Sequence, residues 1–140
     1  MELHKLIYYT DVDAVKALVQ SCPESVNKVS PRGVTPLIAA IEAEDPGIVR
    51  FLLEHGADIN AWGAADCPPL HMAIDVAAEA FKDGPPGADQ SSLDIVQILL
   101  GFGADIHALD SRGKDALAFA KWRHKPSYQL LVDWCRDKEG

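Results

Sequence analysis

The sequence predicts an all-α solenoid of about four helix–turn–helix repeats, and two observations carry this prediction. Residues 33–61 read GVTPLIAAIEAEDPGIVRFLLEHGADINA, which contains start signals for two helices and one stop signal. Imperfect copies of this segment recur along the chain, and Leu37 is matched by Leu70 at a spacing of 33 residues. A repeat period of about 20 to 50 residues is typical of solenoids, whose repeats bury their apolar surface against their neighbours.

The first complete unit predicts two short helices. Thr35 is a preferred N-cap residue and Pro36 suits the first helical position, so the first helix begins there. Asp45 followed by Pro46 repeats this signal for a second, more apolar helix. Gly56 ends that helix, because glycine adopts the left-handed conformation at a helix C-terminus without steric cost.

Three later segments match this unit. PPLHMA at 68–73 corresponds in pattern to TPLIAA at 35–40. LDIVQILL at 93–100 has the apolar pattern of the second helix. GADIHA at 103–108 corresponds to GADINA at 56–61. Both ends of the unit are therefore present twice.

These motifs resemble the ankyrin repeat family, whose pattern reads roughly D-x-x-G-x-T-P-L-H-x-A-A, then a second helix ending in two leucines, then G-A-D-x-N-A. The resemblance covers nearly the whole chain. It implies helix pairs joined by β-hairpin-like loops and a protein-binding function. It also implies that the imidazole of His71 holds neighbouring turns together by hydrogen bonds. The chain departs from the family at Glu44, where glycine is usual, and at Ile38, where histidine is usual.

The matches divide a single domain, residues 1–140, into four repeats. Their approximate limits are 1–30, 31–61, 62–108 and 109–140. The first lacks a preceding hairpin and the last is degenerate, which is typical of capping repeats. We therefore expect these four repeats to form the complete solenoid, with the last helix beginning near Pro126.

The third repeat contains an insertion at residues 77–91. Its first residues can prolong the preceding helix, and the proline pair within 83–87 must end it. Ser91 or Ser92 is then expected to cap the next helix. The insertion is either a neutral loop or a loop that contacts a partner, with Phe81 as its only large apolar residue.

The composition argues against membranes and nucleic acid. A net charge of −8 opposes binding to phosphate backbones. No apolar run approaches the roughly 18 residues of a membrane span, and no secretory signal is visible at the N-terminus. Cys22, Cys67 and Cys135 are odd in number and widely spaced, which favours reduced, buried thiols. We therefore expect a cytoplasmic protein that binds neither membranes nor nucleic acid.

The sequence contains no recognisable catalytic motif. It lacks a phosphate-binding Gly-x-x-x-x-Gly-Lys loop, a Gly-x-Ser-x-Gly elbow and a His-Glu-x-x-His zinc helix. Cys67 and His71 are four residues apart, but two ligands are only half of a zinc site. We therefore expect no enzymatic activity, no cofactor and no metal site.

The family resemblance implies a partner-binding surface made of the hairpin loops and the exposed side of each first helix, which together form a concave face. Tyrosine, tryptophan and arginine dominate interface hot spots, which favours the aromatic positions among these residues. We expect Trp62 to be exposed, whereas Tyr8 and Trp122 are either exposed or packed as lids on the ends of the solenoid. The candidate partner-binding residues are Tyr8, Tyr9, Arg32, Glu42, Trp62, Asp75, Leu109, Arg112, Lys114, Trp122 and Arg123.

The favoured function is a small stand-alone binding module, monomeric when unbound, that binds and inhibits a protein partner. An immunity protein that neutralises a toxin is one example of this class. The alternative is a small-molecule-binding or enzymatic protein that uses a groove beside the insertion in the third repeat.

Overall fold

The computed structural model describes residues 3–139, and in this range the chain forms eight α-helices and one 3₁₀ helix, Pro23–Asn27. No β-strand occurs between residues 3 and 139, so the all-α prediction is confirmed. The α-helices are α1 Leu3–Tyr8, α2 Val12–Ser21, α3 Pro36–Glu42, α4 Pro46–Glu54, α5 Pro69–Asp83, α6 Gln90–Gly101, α7 Ala116–Arg123 and α8 Lys125–Glu139.

The helices pack in two rows. The first helices of the repeats, α1, α3, α5 and α7, form the front row, in which each helix contacts the next. The second helices, α2, α4, α6 and α8, form the back row in the same way. Each front helix also packs on the back helix of its own repeat. The predicted solenoid of helix pairs is therefore confirmed.

The helix starts follow the predicted caps with one exception. The side chains of Thr35 and Asp45 each accept a backbone N–H bond at 3.1 Å from the third residue beyond the cap. The exception is α6, which begins directly after Asp89. The predicted serine cap is wrong because Ser92 lies inside the first turn, where it is fully buried and its hydroxyl donates to the Glu44 carboxylate at 3.3 Å.

The core runs continuously through all four repeats. In the second repeat, Leu37, Ile41 and Leu52 are at most 1% exposed. Fully burying one such side chain contributes about 1.5–3 kcal/mol of stability. The largest equivalent side chains elsewhere in the chain are Ile7, Leu70, Ile74, Ile95, Leu99 and Leu131.

The insertion prolongs the front helix of the third repeat, as predicted. Helix α5 runs for 15 residues, against seven for α3. It ends at Asp83, and the Gly-Pro-Pro-Gly segment that follows is exposed. The insertion thus changes the end of one front helix and leaves the order of the rows intact.

The loops before the front helices are joined to one another by hydrogen bonds. The Gly33 carbonyl accepts a bond from the Ala64 N–H at 2.8 Å. Nε2 of His71 lies 2.9 Å from the Lys114 carbonyl of the next repeat, so the nitrogen donates there and the predicted bridging contact is present. His4 in the first repeat makes the same kind of contact with the Val34 carbonyl of the second repeat, at 2.7 Å. These bonds fix the loops that border the candidate binding site.

Candidate partner-binding site

The predicted partner-binding residues gather in two clefts on one side of the solenoid. We call this side the front face, meaning the exposed ends of the front helices together with the loops that precede them. The N-terminal cleft lies between α1 and α3, and the C-terminal cleft lies between α5 and α7. Four predicted residues line each cleft, and three line neither.

The N-terminal cleft has a volume of about 720 Å³ and includes Tyr8, Tyr9, Arg32 and Glu42. The tyrosines are 77% and 73% exposed, and their rings meet edge to face with centroids 5.5 Å apart. Helix α1 ends at Tyr8, and the chain turns through Thr10 at a φ of 53°, which leaves both rings on the surface. Partial burial raises the pKa of the Glu42 carboxyl, which lines this cleft on an exposed residue.

The C-terminal cleft has a volume of about 490 Å³ and is dominated by Trp122. The Trp122 side chain is 64% exposed, so of the two alternatives for this residue, exposure is confirmed. Its ring meets the ring of Phe119 at a centroid distance of 6.3 Å, and the Lys114 ammonium lies 4.7 Å from its centroid. These neighbours fix the ring in place, which lowers the entropy lost when a partner contacts it.

Asp75 and Arg123 line the same cleft but bind each other. The Arg123 guanidinium donates to Asp75 at 2.9 Å and also to Glu79, one turn further along α5. Burial lowers the pKa of Arg123, but the bonds to these two carboxylates outweigh it and the pKa is raised. A partner at this cleft would therefore meet an ion pair rather than two free charges, and the binding role of Asp75 and Arg123 stays a prediction. Glu79 was missed, although its spacing from Asp75 places both on one helix face.

Trp62, Leu109 and Lys114 line neither cleft. Trp62 is only half-buried, so the prediction of an exposed ring is wrong. Its loop turns back tightly, with the Trp62 carbonyl accepting a bond from the Ala65 N–H at 2.8 Å, and is held against the preceding loop through Gly33. Leu109 is 57% exposed at the start of the last loop.

A buried hydrogen-bonded chain that sequence reasoning missed lies between the insertion and the fourth repeat. Nε2 of His124 is 3.0 Å from the Asp89 carboxylate, and Nδ1 is 2.6 Å from the Ser127 hydroxyl. The Ser127 backbone N–H also points to Nδ1, so Nδ1 accepts and Nε2 donates. Phe81 of the insertion packs edge to face on the imidazole at 5.3 Å. The insertion therefore contacts the last repeat through three side chains, Phe81 and Asp89 at His124 and Glu79 at Arg123.

This chain combines the residue types of a hydrolase triad without the access that a triad needs. Ser127 and His124 are 0% and 3% exposed, and Asp89 is 7% exposed. A nucleophilic serine must reach a substrate carbonyl, which a fully buried hydroxyl cannot do. The contact between His124 and Ser127 has the geometry of a helix cap. His124 directly precedes α8, and its Nδ1 accepts a hydrogen bond from the backbone N–H of Ser127, three residues later.

The described residues provide no metal site. No group of three or more histidine, cysteine, aspartate or glutamate side chains in residues 3–139 is placed to hold a metal ion. Burial, with the negative charges of Asp75, Asp110 and Asp66, raises the pKa of the Cys67 thiol to about 12. Cys67 is therefore protonated at neutral pH, which makes it a poor metal ligand and a poor nucleophile. No helix in the described range is long and apolar enough to cross a bilayer.

Comparison with known proteins agrees with this architecture. A family model described as ankyrin repeats, in three copies, matches residues 3–82. Over 119 residues the chain is 32% identical to Neurogenic locus notch homolog protein 1 of Danio rerio and 30% identical to that of Mus musculus. Each match covers 84% of this chain but only 4% of the relative.

A solved structure gives the same result for the fold. The crystal structure of the ankyrin repeat domain of Bcl-3, a unique member of the IkappaB protein family, superposes with a TM-score of 0.74 at 24% identity. The superposition covers 93% of this chain and 50% of that one. Ankyrin repeats are in general protein–protein interaction modules, and such domains are typically non-enzymatic. The matched repeats and the two rows of helices together show that this chain belongs to the ankyrin repeat family.

Proposed function

We propose that the chain is a non-enzymatic module that binds a protein partner on its front face. One observation carries the proposal. Tyr8, Tyr9 and Trp122 keep between 64% and 77% of their surface exposed, and all three lie at the ends of front helices beside the two clefts. Large exposed aromatic side chains held in fixed positions are typical anchors of protein interfaces.

The proposal is tested by truncating the anchors. The tagged chain is purified from its native source, and co-purifying proteins are compared between wild type and Trp122→Ala. We expect the stoichiometric partner to be lost, because truncating a hot-spot tryptophan costs about 2–4 kcal/mol of binding free energy. Phe102→Ala is the matched control, since Phe102 is an exposed aromatic residue on the back row. A partner retained by both Trp122→Ala and a Tyr8→Ala, Tyr9→Ala double variant would refute the proposal.

We extend the proposal to inhibition of the bound partner. A partner held on this face has its contacted surface closed to other ligands, which is how an immunity protein would neutralise a toxin. The partner's activity is measured with one equivalent of the chain, and again with Trp122→Ala. Inhibition by wild type alone supports the extension, and full partner activity in the complex refutes it.

We also propose that the protein is cytoplasmic, and that it is a monomer when no partner is bound. All three cysteines are free thiols, as expected for a reducing compartment, but they are half-buried rather than buried as predicted. Sedimentation velocity checks the monomer, and fractionation of the native source checks the compartment.

A further inference from the structure

The two clefts share a pattern in which an exposed arginine stands beside exposed aromatic rings. Arg32 lies in the loop before α3 and borders the N-terminal cleft with Tyr8 and Tyr9. Arg112 lies at the equivalent place in the loop before α7 and borders the C-terminal cleft with Trp122. Within residues 3–139, neither arginine takes part in an ion pair. Each guanidinium therefore offers its fork of N–H donors to an incoming acceptor.

Two of the four carboxylates that line the clefts are occupied. Asp110 accepts the backbone N–H groups of Arg112 and Lys114 at 2.9 Å each, which closes the loop and lowers the pKa of its carboxyl in spite of partial burial. Asp75 is bound to Arg123. Glu42 in the N-terminal cleft and Asp66 in the C-terminal cleft remain as open acceptors. The front face thus keeps free donors next to its aromatic anchors.

The charge distribution along the chain points the same way for the C-terminal cleft, whereas residues 1–61, which carry the N-terminal cleft, contain five lysines and arginines against nine aspartates and glutamates. The whole chain has a net charge of −8, yet residues 109–140 contain seven lysines and arginines against five aspartates and glutamates. The fourth repeat, which supplies Arg112, Lys114 and Trp122, is therefore positive within an acidic chain. The net charge of −8 attracts a basic partner at long range, whereas Arg32 and Arg112 on the front face, unpaired within residues 3–139, favour carboxylates at contact distance.

The distance between the two clefts follows from the repeat geometry. Three helix-to-helix steps separate α1 from α7 along the front row. The N-terminal cleft lies between the first two of these helices and the C-terminal cleft lies between the last two, so two steps separate the clefts. Packed helices lie about 8–10 Å apart, which places the clefts about 20 Å apart. A single helix of about 13 residues covers that distance, as does one side of a small folded domain.

Resting on the front-face function proposed above, we infer that the partner presents carboxylates next to apolar side chains at two points about 20 Å apart. One point docks at Arg32 beside the tyrosine pair, and the other docks at Arg112 beside Trp122. The two contacts act as a linked pair, so each strengthens the other through effective concentration.

The experiment is a selection from a phage-displayed library of random 20-residue peptides, with the whole chain immobilised. We expect selected peptides to be enriched in aspartate and glutamate next to aromatic or aliphatic residues. Binding of a synthesised selected peptide should fall about tenfold with Arg32→Glu and about tenfold with Arg112→Glu, and further in the double variant. Arg50→Glu on the back helix α4 makes the same charge change away from the clefts and should alter binding less than twofold.

The outcomes separate the two proposals. No enrichment, or peptides enriched in basic or uncharged residues, overturns the acidic partner, as does an equal loss of binding with Arg50→Glu. If such basic peptides lose binding with Trp122→Ala, the front-face function stands while the inference about carboxylates falls. If Trp122→Ala and the tyrosine double variant both leave peptide binding intact, the front-face function falls as well.

Discussion

Replacing His124 tests whether the buried chain between the insertion and the last repeat stabilises the fold. In His124→Ala, helix α8 loses the side chain that caps it, which costs about 1 kcal/mol. The Asp89 carboxylate, 7% exposed, loses its hydrogen-bond donor, which costs about 1–3 kcal/mol. Together these losses predict a decrease of about 3 kcal/mol in the free energy of unfolding.

The assay is urea unfolding followed by far-ultraviolet circular dichroism, with thermal melting as a second measurement. For a domain of this size, 3 kcal/mol corresponds to a Tm lower by about 10 °C. His124→Asn is the matched control, because asparagine can cap α8 but is too short to reach Asp89. It should recover about 1 kcal/mol of the loss.

A double-mutant cycle gives the decisive result. Asp89→Ala should destabilise the wild type by more than it destabilises His124→Ala, because the shared hydrogen bond is already lost in the second background. Strictly additive effects, or a loss below 1 kcal/mol in His124→Ala, would contradict the structural role of this chain.

Three further predictions concern single positions. Burial and the nearby Arg123 charge lower the pKa of His124, even though Asp89 raises it, so the unfolded chain binds more protons than the folded chain. The free energy of unfolding should therefore fall as the pH drops below about 6.5. Urea titrations at pH 7.5 and 5.5 measure this dependence, which His124→Asn should flatten. Glu44 has a φ of 57°, a left-handed conformation that favours glycine. Glu44→Gly and Glu44→Ala both remove the bond from Ser92, so Glu44→Gly should unfold with a free energy about 1 kcal/mol higher than Glu44→Ala, and equal midpoints in urea would count against strain at this turn. Cys67, with its pKa raised to about 12, should resist iodoacetamide at pH 8 while the native fold persists, and rapid alkylation at that site in peptide mass spectrometry would contradict the burial described above.

The sequence predicted those parts of the fold that depend on neighbours along the chain. Thr35 and Asp45 identify helix starts because a cap bonds to an N–H three residues away. Gly56 identifies a helix end because its φ of 96° suits glycine alone. The repeat pattern also placed Tyr8 and Trp122 at the ends of front helices, but it left open whether their rings are exposed or packed as lids.

The parts that escaped prediction depend on residues that are distant in sequence. Asp75 and Arg123 are 48 residues apart, and Asp89 and His124 are 35 residues apart. Both distances span the insertion or its end, so no repeat period predicts which side chains meet. Trp62 was misjudged for a related reason, because its exposure depends on how tightly its loop packs on the loop of the preceding repeat.

The Asp89–His124 hydrogen bond also has a consequence for how the solenoid opens. Repeats that touch only their neighbours can fray one at a time from either end, but this bond ties the third repeat to the fourth from within the protein interior. The last two repeats should therefore exchange their amide hydrogens as one cooperative unit, while the first repeat exchanges independently. The C-terminal cleft therefore lies on the two repeats that unfold as one unit. The N-terminal cleft includes the first repeat, which can unfold while the last two repeats stay folded.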